Sequence, residues 1–407
     1  MFSETLLRAL PKTDLHVHLD GSLRLRSLIE LAAEQHVRLP SNTVEGMEEL
    51  VFKPSYADLR EYLQGFAYTT AVMQDPESLE RVAYELAMDN IQEGVCYVEV
   101  RFAPQLHMQQ GSDFDEVMLA VNRGLARAAR EHEGSDAVRD QAPPFRYGVI
   151  VCAMRHFDAN FSGWYNRLLS LLPGAPAKQI YSLASLELAR AAARCRDTHG
   201  IPIVGFDLAG EEAGYPAHDH KEAFATAHRN FLKKTVHAGE AYGPESIFDA
   251  ISELYADRIG HGYHLFSADH CGEDVDDPEA YVRRLAAYIA DRRVTIEVCI
   301  TSNMQTNPSI GAVENHAFGR MLEAKLSATL CTDNRLVSHT TVSRELKLAV
   351  DAFNMDASQL RNTVIYGFKR SFYPGSYREK RAYVRAVLDH YDRVVARQPG
   401  APLRTAS

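Results

Sequence analysis

Two histidines in the first strand-like run of the chain have the spacing of a metal-binding pair. In the run TDLHVHLDG, His16 and His18 alternate with the apolar residues Leu15, Val17 and Leu19. Successive side chains of a β-strand point to opposite faces, so both imidazoles lie on one face and the apolar residues on the other. Two imidazoles on an inward face suit a metal ion, whereas two core histidines bonded to backbone groups are an equally good reading of this motif alone.

Two later motifs supply the other residues that a catalytic metal needs. His237 ends a strand-like run in VHAGE (236–240), and Asp333 ends another in LCTDN (330–334). Three neutral imidazoles and one carboxylate are ligands that Zn²⁺ accepts, and such a set leaves a position for water. Glu240 follows closely enough to carry a proton in a hydrolytic reaction. The alternative for Glu240 is a surface salt bridge.

The remaining histidines differ in their expected surroundings. His261 lies between two glycines in DRIGHGYH, which favours an exposed ring in a crowded site, so we take it as a second catalytic candidate. His264 is as consistent with a structural role as with a role in the site. His218 and His220 in the acidic loop PAHDH are expected to be solvated. The chain has no phosphate-binding glycine loop, no GxSxG motif and no paired CxxC motif, which argues against kinases, serine hydrolases and cysteine-ligated zinc deaminases.

Short strand-like runs alternate with helix-like runs along most of the chain. This alternation predicts a parallel sheet with helical crossovers, and eight strands are the number that closes a (β/α)₈ barrel. Catalytic residues of such barrels lie at the carboxyl ends of the strands, where the motifs above also fall. We therefore predict an α/β fold, a (β/α)₈ TIM barrel that forms a single domain over residues 1–407. The predicted strands are 13–19, 96–103, 146–154, 202–209, 233–239, 257–263, 294–301 and 327–333.

Several segments predict helices, some of them additional to the barrel. Residues 76–95 and 244–258 carry apolar residues at helical spacing and begin with a proline that suits the first turn of a helix. The segment 20–90 after the first strand is too long for one crossover and is expected to hold extra helices that form a lid. Residues 341–397 predict a C-terminal helical tail. Residues 134–145 and 158–178 are expected on the surface, and 403–407 at a frayed terminus.

Composition and charge exclude several classes of partner. The chain has 44 basic and 54 acidic residues, a net charge of −10, which is the wrong sign for a surface that neutralises phosphates, so nucleic acid is not expected as a partner. It has no apolar run of the roughly 18 to 20 residues that span a bilayer, and no signal peptide is predicted. The six cysteines are widely spaced and mostly lie in apolar runs, so we expect reduced thiols and a cytoplasmic protein.

The order of the motifs resembles the adenosine deaminase family of the metal-dependent amidohydrolase superfamily. The strings that carry the resemblance are LPKTDLHVHLDGS, EVRFAP, GFDLAGEE, VHAGE, RIGHGYH, EVCITSN and CTDN, at successive predicted strand ends from Leu10 to beyond Asn334. The resemblance implies hydrolytic attack at C6 of a purine nucleoside, with release of ammonia. Adenosine is the leading substrate, 2′-deoxyadenosine is expected as well, and the oligomeric state is left open.

The resemblance also implies a role for each matching residue. It implies one zinc ion per chain, with Glu240 delivering a proton to purine N1 and His261 orienting the attacking water. On the substrate side, it implies that Gly210 presents its backbone to purine N3 and that Asp20 meets the ribose 5′-hydroxyl. The implied metal ligands are His16, His18, His237 and Asp333, and the implied substrate-binding residues are His18, Asp20, Gly210 and Asn334.

One position departs from the usual pattern of the family. A second aspartate usually follows the metal-binding one, and here Asn334 takes that place, as in some bacterial members with TDNRL. Because purine N7 is an acceptor, the amide of Asn334 is expected to donate to it without a protonated carboxyl. Adenine, a nucleotide or a modified nucleoside remain alternative substrates, although Asp20 argues against the first two. A non-catalytic purine-binding protein is the remaining alternative.

Overall fold

The computed structural model describes residues 2–109 and 112–397, and it confirms the predicted barrel. All eight strands form one sheet in sequence order, and every neighbouring pair is parallel. A bridge between Val17 and Asp333 joins the first strand to the segment after the eighth and brings the two edges together. The strands are β1 (Lys12–His18), β2 (Val95–Phe102), β3 (Arg146–Met154), β4 (Ile203–Ala209), β5 (Lys233–Ala238), β6 (Arg258–His261), β7 (Thr295–Val298) and β8 (Ala328–Leu330).

Helices connect the strands and add the predicted lid and tail. Five helices, α2 to α6, fill the long segment after β1, and three, α16 to α18, form the C-terminal tail. The α-helices are α1 (Glu4–Ala9), α2 (Leu25–Glu34), α3 (Val44–Leu50), α4 (Leu59–Leu63), α5 (Phe66–Ala71), α6 (Pro76–Gln92), α7 (Phe114–Glu133), α8 (Asp136–Arg139), α9 (Gly163–Leu171), α10 (Ala177–His199), α11 (Lys221–Arg229), α12 (Pro244–Ser252), α13 (Pro278–Arg292), α14 (Ile300–Thr306), α15 (Phe318–Glu323), α16 (Val342–Ala352), α17 (Ala357–Arg370) and α18 (Tyr377–Ala396).

The structure corrects two predictions from the sequence, and a third prediction concerns residues that the structure does not describe. The seventh strand ends at Val298 rather than at residue 301, because the chain turns into α14 from Ile300 onward. Residues 158–163 are not merely a surface excursion, since they line the main cavity and lead into α9. Residues 403–407 lie outside the described residues. Within the described ranges, no helix combines the length and apolarity needed to cross a bilayer.

A network of buried charges fills the barrel beneath its carboxyl end. Arg101 on β2 donates to Asp207 on β4 and to Glu297 on β7, each at 2.7 Å. Arg258 on β6 donates to Glu297 at 2.5 Å and also pairs with Glu99. All five side chains are buried, and each charge has an opposite partner, as a dry interior requires. This network fixes the carboxylates that hold the histidines described next.

Candidate metal centre and active site

The predicted site residues meet at the carboxyl ends of the strands. A cavity of about 1070 Å³ opens there between the barrel and the lid helices α4 and α5. Of the predicted residues, only His16 does not line it, because that ring is fully buried beneath the cavity floor. The other predicted residues that line the cavity are His18, Asp20, Gly210, His237, Glu240, His261, Asp333 and Asn334.

The four predicted metal ligands converge on one point. Oδ1 of Asp333 lies 3.3 Å from Nε2 of His16 and 3.4 Å from Nε2 of His18. Nε2 of His18 is also 3.2 Å from Nε2 of His237. His261 is close as well, since its ring forms a group with His16, His237 and Asp333 whose ligand atoms all lie within 4.8 Å of one another. Distance alone therefore offers five candidate ligands.

The contacts at Nδ1 of His16 and His237 indicate that both rings direct their Nε2 lone pairs to the point where the predicted ligands converge. Nδ1 of His16 is 2.9 Å from Glu297, and Nδ1 of His237 is 3.0 Å from Asp207. A carboxylate accepts the Nδ1 proton and leaves Nε2 as an acceptor, which is the usual arrangement of metal-ligating histidines. Nε2 of His16 is buried without a hydrogen-bond partner and lies 3.3 Å from Oδ1 of Asp333, with its lone pair directed at the same point. A cation fits this donor set.

His261 and Asp333 both have unusual backbone conformations. Their φ angles are 63° and 60°, in the left-handed region that residues other than glycine seldom adopt. Such strain is typical of functional sites, where the surrounding structure holds it in place. Gly260, before His261, is needed for space, because a Cβ there would lie 2.9 Å from Cε1 of His16.

Glu240 has the surroundings of a proton donor. Its side chain is 9% exposed, and Oε1 lies 3.8 Å from Nε2 of His261. Burial, with the nearby carboxylates of Asp333 and Glu212, raises the pKa of Glu240 to about 8. Oε2 of Glu212 accepts the backbone N–H groups of residues 240, 241 and 242 and so holds the loop that presents Glu240. The alternative of a surface salt bridge is wrong for Glu240.

The predicted substrate-binding residues line the cavity around this centre. Asp20 is 3% exposed, and its Oδ1 is buried without a hydrogen-bond partner. Gly210 follows β4 with φ of 97°, a conformation that favours glycine. Nδ2 of Asn334 donates to the hydroxyl of Tyr62 in lid helix α4 at 2.8 Å, while its Oδ1 is buried without a partner.

The expectations for three other histidines can be compared with the structure. His218 is 54% exposed, as expected for a solvated side chain. The expectation for His220 is wrong, because this residue is 1% exposed and its Nδ1 is 2.7 Å from Oγ of Ser185 on α10. His264 is buried, and its Nδ1 is 3.0 Å from Oγ of Ser267, which favours the structural reading.

Several residues support the centre, and of these Ser302 was expected among the polar residues at the strand ends, whereas Glu297, Asp207 and Asn303 were not singled out from the sequence. Glu297 and Asp207 orient two histidines, and Ser302 donates to Oδ2 of Asp333 at 2.6 Å. Asn303, next to Ser302, contacts Nδ1 of His261 at 3.1 Å. The sequence signal that could have identified Glu297 and Asp207 is a single acidic residue inside a largely apolar strand, in VTIEV and GFDLA. A charge that is buried in this way requires a partner.

Comparison with known proteins identifies the family to which the chain belongs. A sequence model of the family described as adenosine deaminase matches residues 11–173 and 176–389. The chain belongs to the adenosine deaminase family. It is 36% identical over 368 residues to the adenosine deaminase of Mycobacterium marinum, covering 90% of this chain and 91% of that one. It is 35% identical over 384 residues to adenosine deaminase 1 of Streptomyces coelicolor, covering 94% and 87% of the two chains.

Solved structures share the fold at lower sequence identity. The N6-mAMP deaminase of Arabidopsis superposes with a TM-score of 0.71 at 25% identity, covering 95% of this chain and 99% of that one. A zinc-bound amidohydrolase from Burkholderia ambifaria has a TM-score of 0.75 at 18% identity, covering 97% and 93%. These neighbours support the (β/α)₈ barrel over nearly the whole chain.

Proposed function

We propose that the protein catalyses the zinc-dependent hydrolytic deamination of adenosine and of 2′-deoxyadenosine to the corresponding inosine nucleosides and ammonia. The observation that carries the proposal is the convergence of three imidazoles and Asp333 beside Glu240, whose surroundings raise its pKa to about 8. The relatives named adenosine deaminase, at 35% and 36% identity over most of the chain, support the same reaction. The six unpaired cysteines, five of them buried, support a cytoplasmic location.

The ligands proposed for one zinc ion are His16, His18, His237 and Asp333. Three imidazoles and a carboxylate suit Zn²⁺, and the carboxylates that accept from Nδ1 of His16 and His237 orient the Nε2 lone pairs of both rings toward the metal position. A bound zinc ion would lower the pKa of a coordinated water to about 7 and so supply a nucleophile at neutral pH.

Glu240 is proposed to make the purine ring reactive. With a pKa of about 8, its carboxyl is mostly protonated at pH 7 and can deliver that proton to purine N1. Protonation at N1 draws electrons from C6 and favours attack by water there. One proton of the attacking water passes to the amino group and the other to Glu240, the C6–N bond then breaks, and the amino group leaves as ammonia. His261 lies beside Glu240 and is proposed to orient the attacking oxygen.

The cavity residues are proposed to select a nucleoside. The unpartnered Oδ1 of Asp20 would accept the 5′-hydroxyl of the ribose, and its negative charge would repel a 5′-phosphate. One N–H of Asn334 is used by Tyr62, and we propose that the other donates to purine N7. Gly210 is proposed to present its backbone to N3, and His18 to contact the bound nucleoside from the metal side.

A second candidate is the deamination of a larger aminated purine. The cavity volume of about 1070 Å³ would admit more than a nucleoside, and one structural neighbour acts on N6-mAMP. The test is amine release from a panel of adenine, adenosine, 2′-deoxyadenosine, AMP and N6-methylated nucleosides and nucleotides. We expect the highest kcat/KM for adenosine and 2′-deoxyadenosine. A preference for AMP or an N6-methylated substrate would replace the proposed function with this second candidate.

A further inference from the structure

A chain of three hydrogen bonds connects a backbone amide to His261. The N–H of Phe318 donates to Nδ1 of His316 at 3.1 Å. Nε2 of His316 is 3.2 Å from Oδ1 of Asn303, and Nδ2 of Asn303 is 3.1 Å from Nδ1 of His261. All four residues are buried, with exposed fractions of 2% or less. The chain is therefore shielded from water along its length.

The first bond fixes the state of His316. A backbone N–H can only donate, so Nδ1 of His316 must offer a lone pair. A ring with a lone pair on Nδ1 is neutral and carries its single proton on Nε2. The burial that lowers the pKa of His316 to about 3 agrees with this neutral state. Nε2–H of His316 therefore donates to Asn303.

The state of His316 in turn fixes Asn303 and His261. Asn303 must place its carbonyl oxygen toward His316, because the opposite orientation would set two donors against each other. The amide nitrogen of Asn303 then donates to Nδ1 of His261. Because Nδ1 of His261 accepts this bond, it holds a lone pair, and the single proton of the ring is on Nε2. That nitrogen is the one on the side of Glu240.

We propose that Asn303 and His316 are positioning residues that hold His261 in the tautomer protonated at Nε2. His261 is then a fixed hydrogen-bond donor toward the site and has no lone pair there for a metal ion. This polarity is opposite to that of His16, whose Nδ1 faces a carboxylate and whose Nε2 is an acceptor. The proposal rests on the proposed function for its catalytic consequence: His261 stabilises the charge that develops on the attacking oxygen.

The proposed tautomer also distinguishes His261 from the four side chains proposed to bind the metal. His261 satisfies the distance criterion together with His16, His237 and Asp333. An imidazole nitrogen that carries a proton cannot ligate, so His261 is excluded and His18 completes the set.

The direct test is the tautomer of His261 in protein labelled with ¹⁵N-histidine, measured by long-range ¹H–¹⁵N NMR. The His261 signals are assigned from their loss in His261→Asn. We expect the proton on Nε2 in the wild type, with and without added Zn²⁺. A proton on Nδ1 would overturn the proposal without any further variant. This readout does not depend on turnover, so it decides the proposal even if no nucleoside is deaminated and the proposed function fails.

A nearly isosteric variant tests the link from tautomer to reaction. In Asn303→Asp the group facing Nδ1 becomes an acceptor, so we expect the proton to move to Nδ1. We expect kcat to fall about 10²- to 10³-fold, as for the loss of one donor to a developing charge, with KM changed less than about threefold. The control is Asn307→Asp, the same change one turn later, where the side chain accepts from Ser309 at 2.5 Å. Equal tautomers and equal kcat in the two variants would overturn the proposal.

Discussion

Replacing Glu240 by glutamine should remove proton transfer while leaving nucleoside binding nearly intact. The pKa of about 8 means that about nine-tenths of the carboxyl is protonated at pH 7, so the wild-type side chain is already a donor. Glutamine keeps an N–H donor of similar shape for purine N1, but it has no proton to transfer. Binding and catalysis should therefore separate at this position.

The expected size of the effect follows from this role. General acid–base groups contribute about 10² to 10⁴ in rate, so kcat of Glu240→Gln should fall by that factor, about 3 to 5 kcal/mol of activation free energy. KM should change less than about threefold. In the wild type, the proton is lost as pH rises through the pKa of about 8, so kcat/KM should decline above that pH.

The assay is the loss of adenosine absorbance together with ammonia release over a range of pH, on protein of measured zinc content. Glu253→Gln is the matched control, because Glu253 is exposed at the end of α12, outside the cavity. A kcat for Glu240→Gln within about threefold of the wild type, at equal zinc content, would refute the role of Glu240. An unchanged kcat with a large rise in KM would show that Glu240 only binds substrate.

Three further predictions concern Asp20, Asn334 and Asp14. Because Oδ1 of Asp20 lacks a partner, 5′-deoxyadenosine should lose about 1.5 to 3 kcal/mol in kcat/KM relative to adenosine, and equal efficiency would contradict this contact. If Asn334 donates to N7, the wild type should discriminate against 7-deazaadenosine by about 1 to 3 kcal/mol, and Asn334→Ala should remove most of that preference; an unchanged preference would contradict it. Burial raises the pKa of Asp14 to about 7 from an ordinary 3.8, so the folded state binds the proton more tightly than the unfolded state. The free energy of unfolding should then fall by up to about 4 kcal/mol as pH rises from about 4 to 7, and denaturant unfolding of Asp14→Asn should show a smaller fall.

The barrel was predictable because its strands are short apolar runs separated by helical patterns. The error at the seventh strand has a local cause: VTIEVCIT is β-branched and apolar to its end, yet the chain becomes helical at Ile300. No side chain caps the N-terminus of α14, so the sequence carries no start signal there. That turn places Ser302 and Asn303 against Asp333 and His261.

The residues proposed as metal ligands were predictable from strand alternation and strand ends, whereas the residues that support them were not. Glu297 and Asp207 act on Arg101 and His237, which lie on other strands, and the order of residues does not reveal these pairings. His220 was misread for the same reason, because its loop is acidic and looks solvated, but α10 brings Ser185 against the ring. The proposed exclusion of His261 as a ligand likewise depends on His316, more than fifty residues along the chain.

A zinc titration of the metal-free protein tests the central claim most directly. Protein stripped by a chelator is mixed with increasing Zn²⁺, and ammonia release from adenosine is measured beside bound zinc. We predict that activity rises in proportion to zinc, reaches its maximum at about one ion per chain, and yields one ammonia for each adenosine consumed. Asp333→Ala should remain folded and show neither zinc-dependent activity nor this stoichiometry. Full deaminase activity in protein without bound metal would contradict the account.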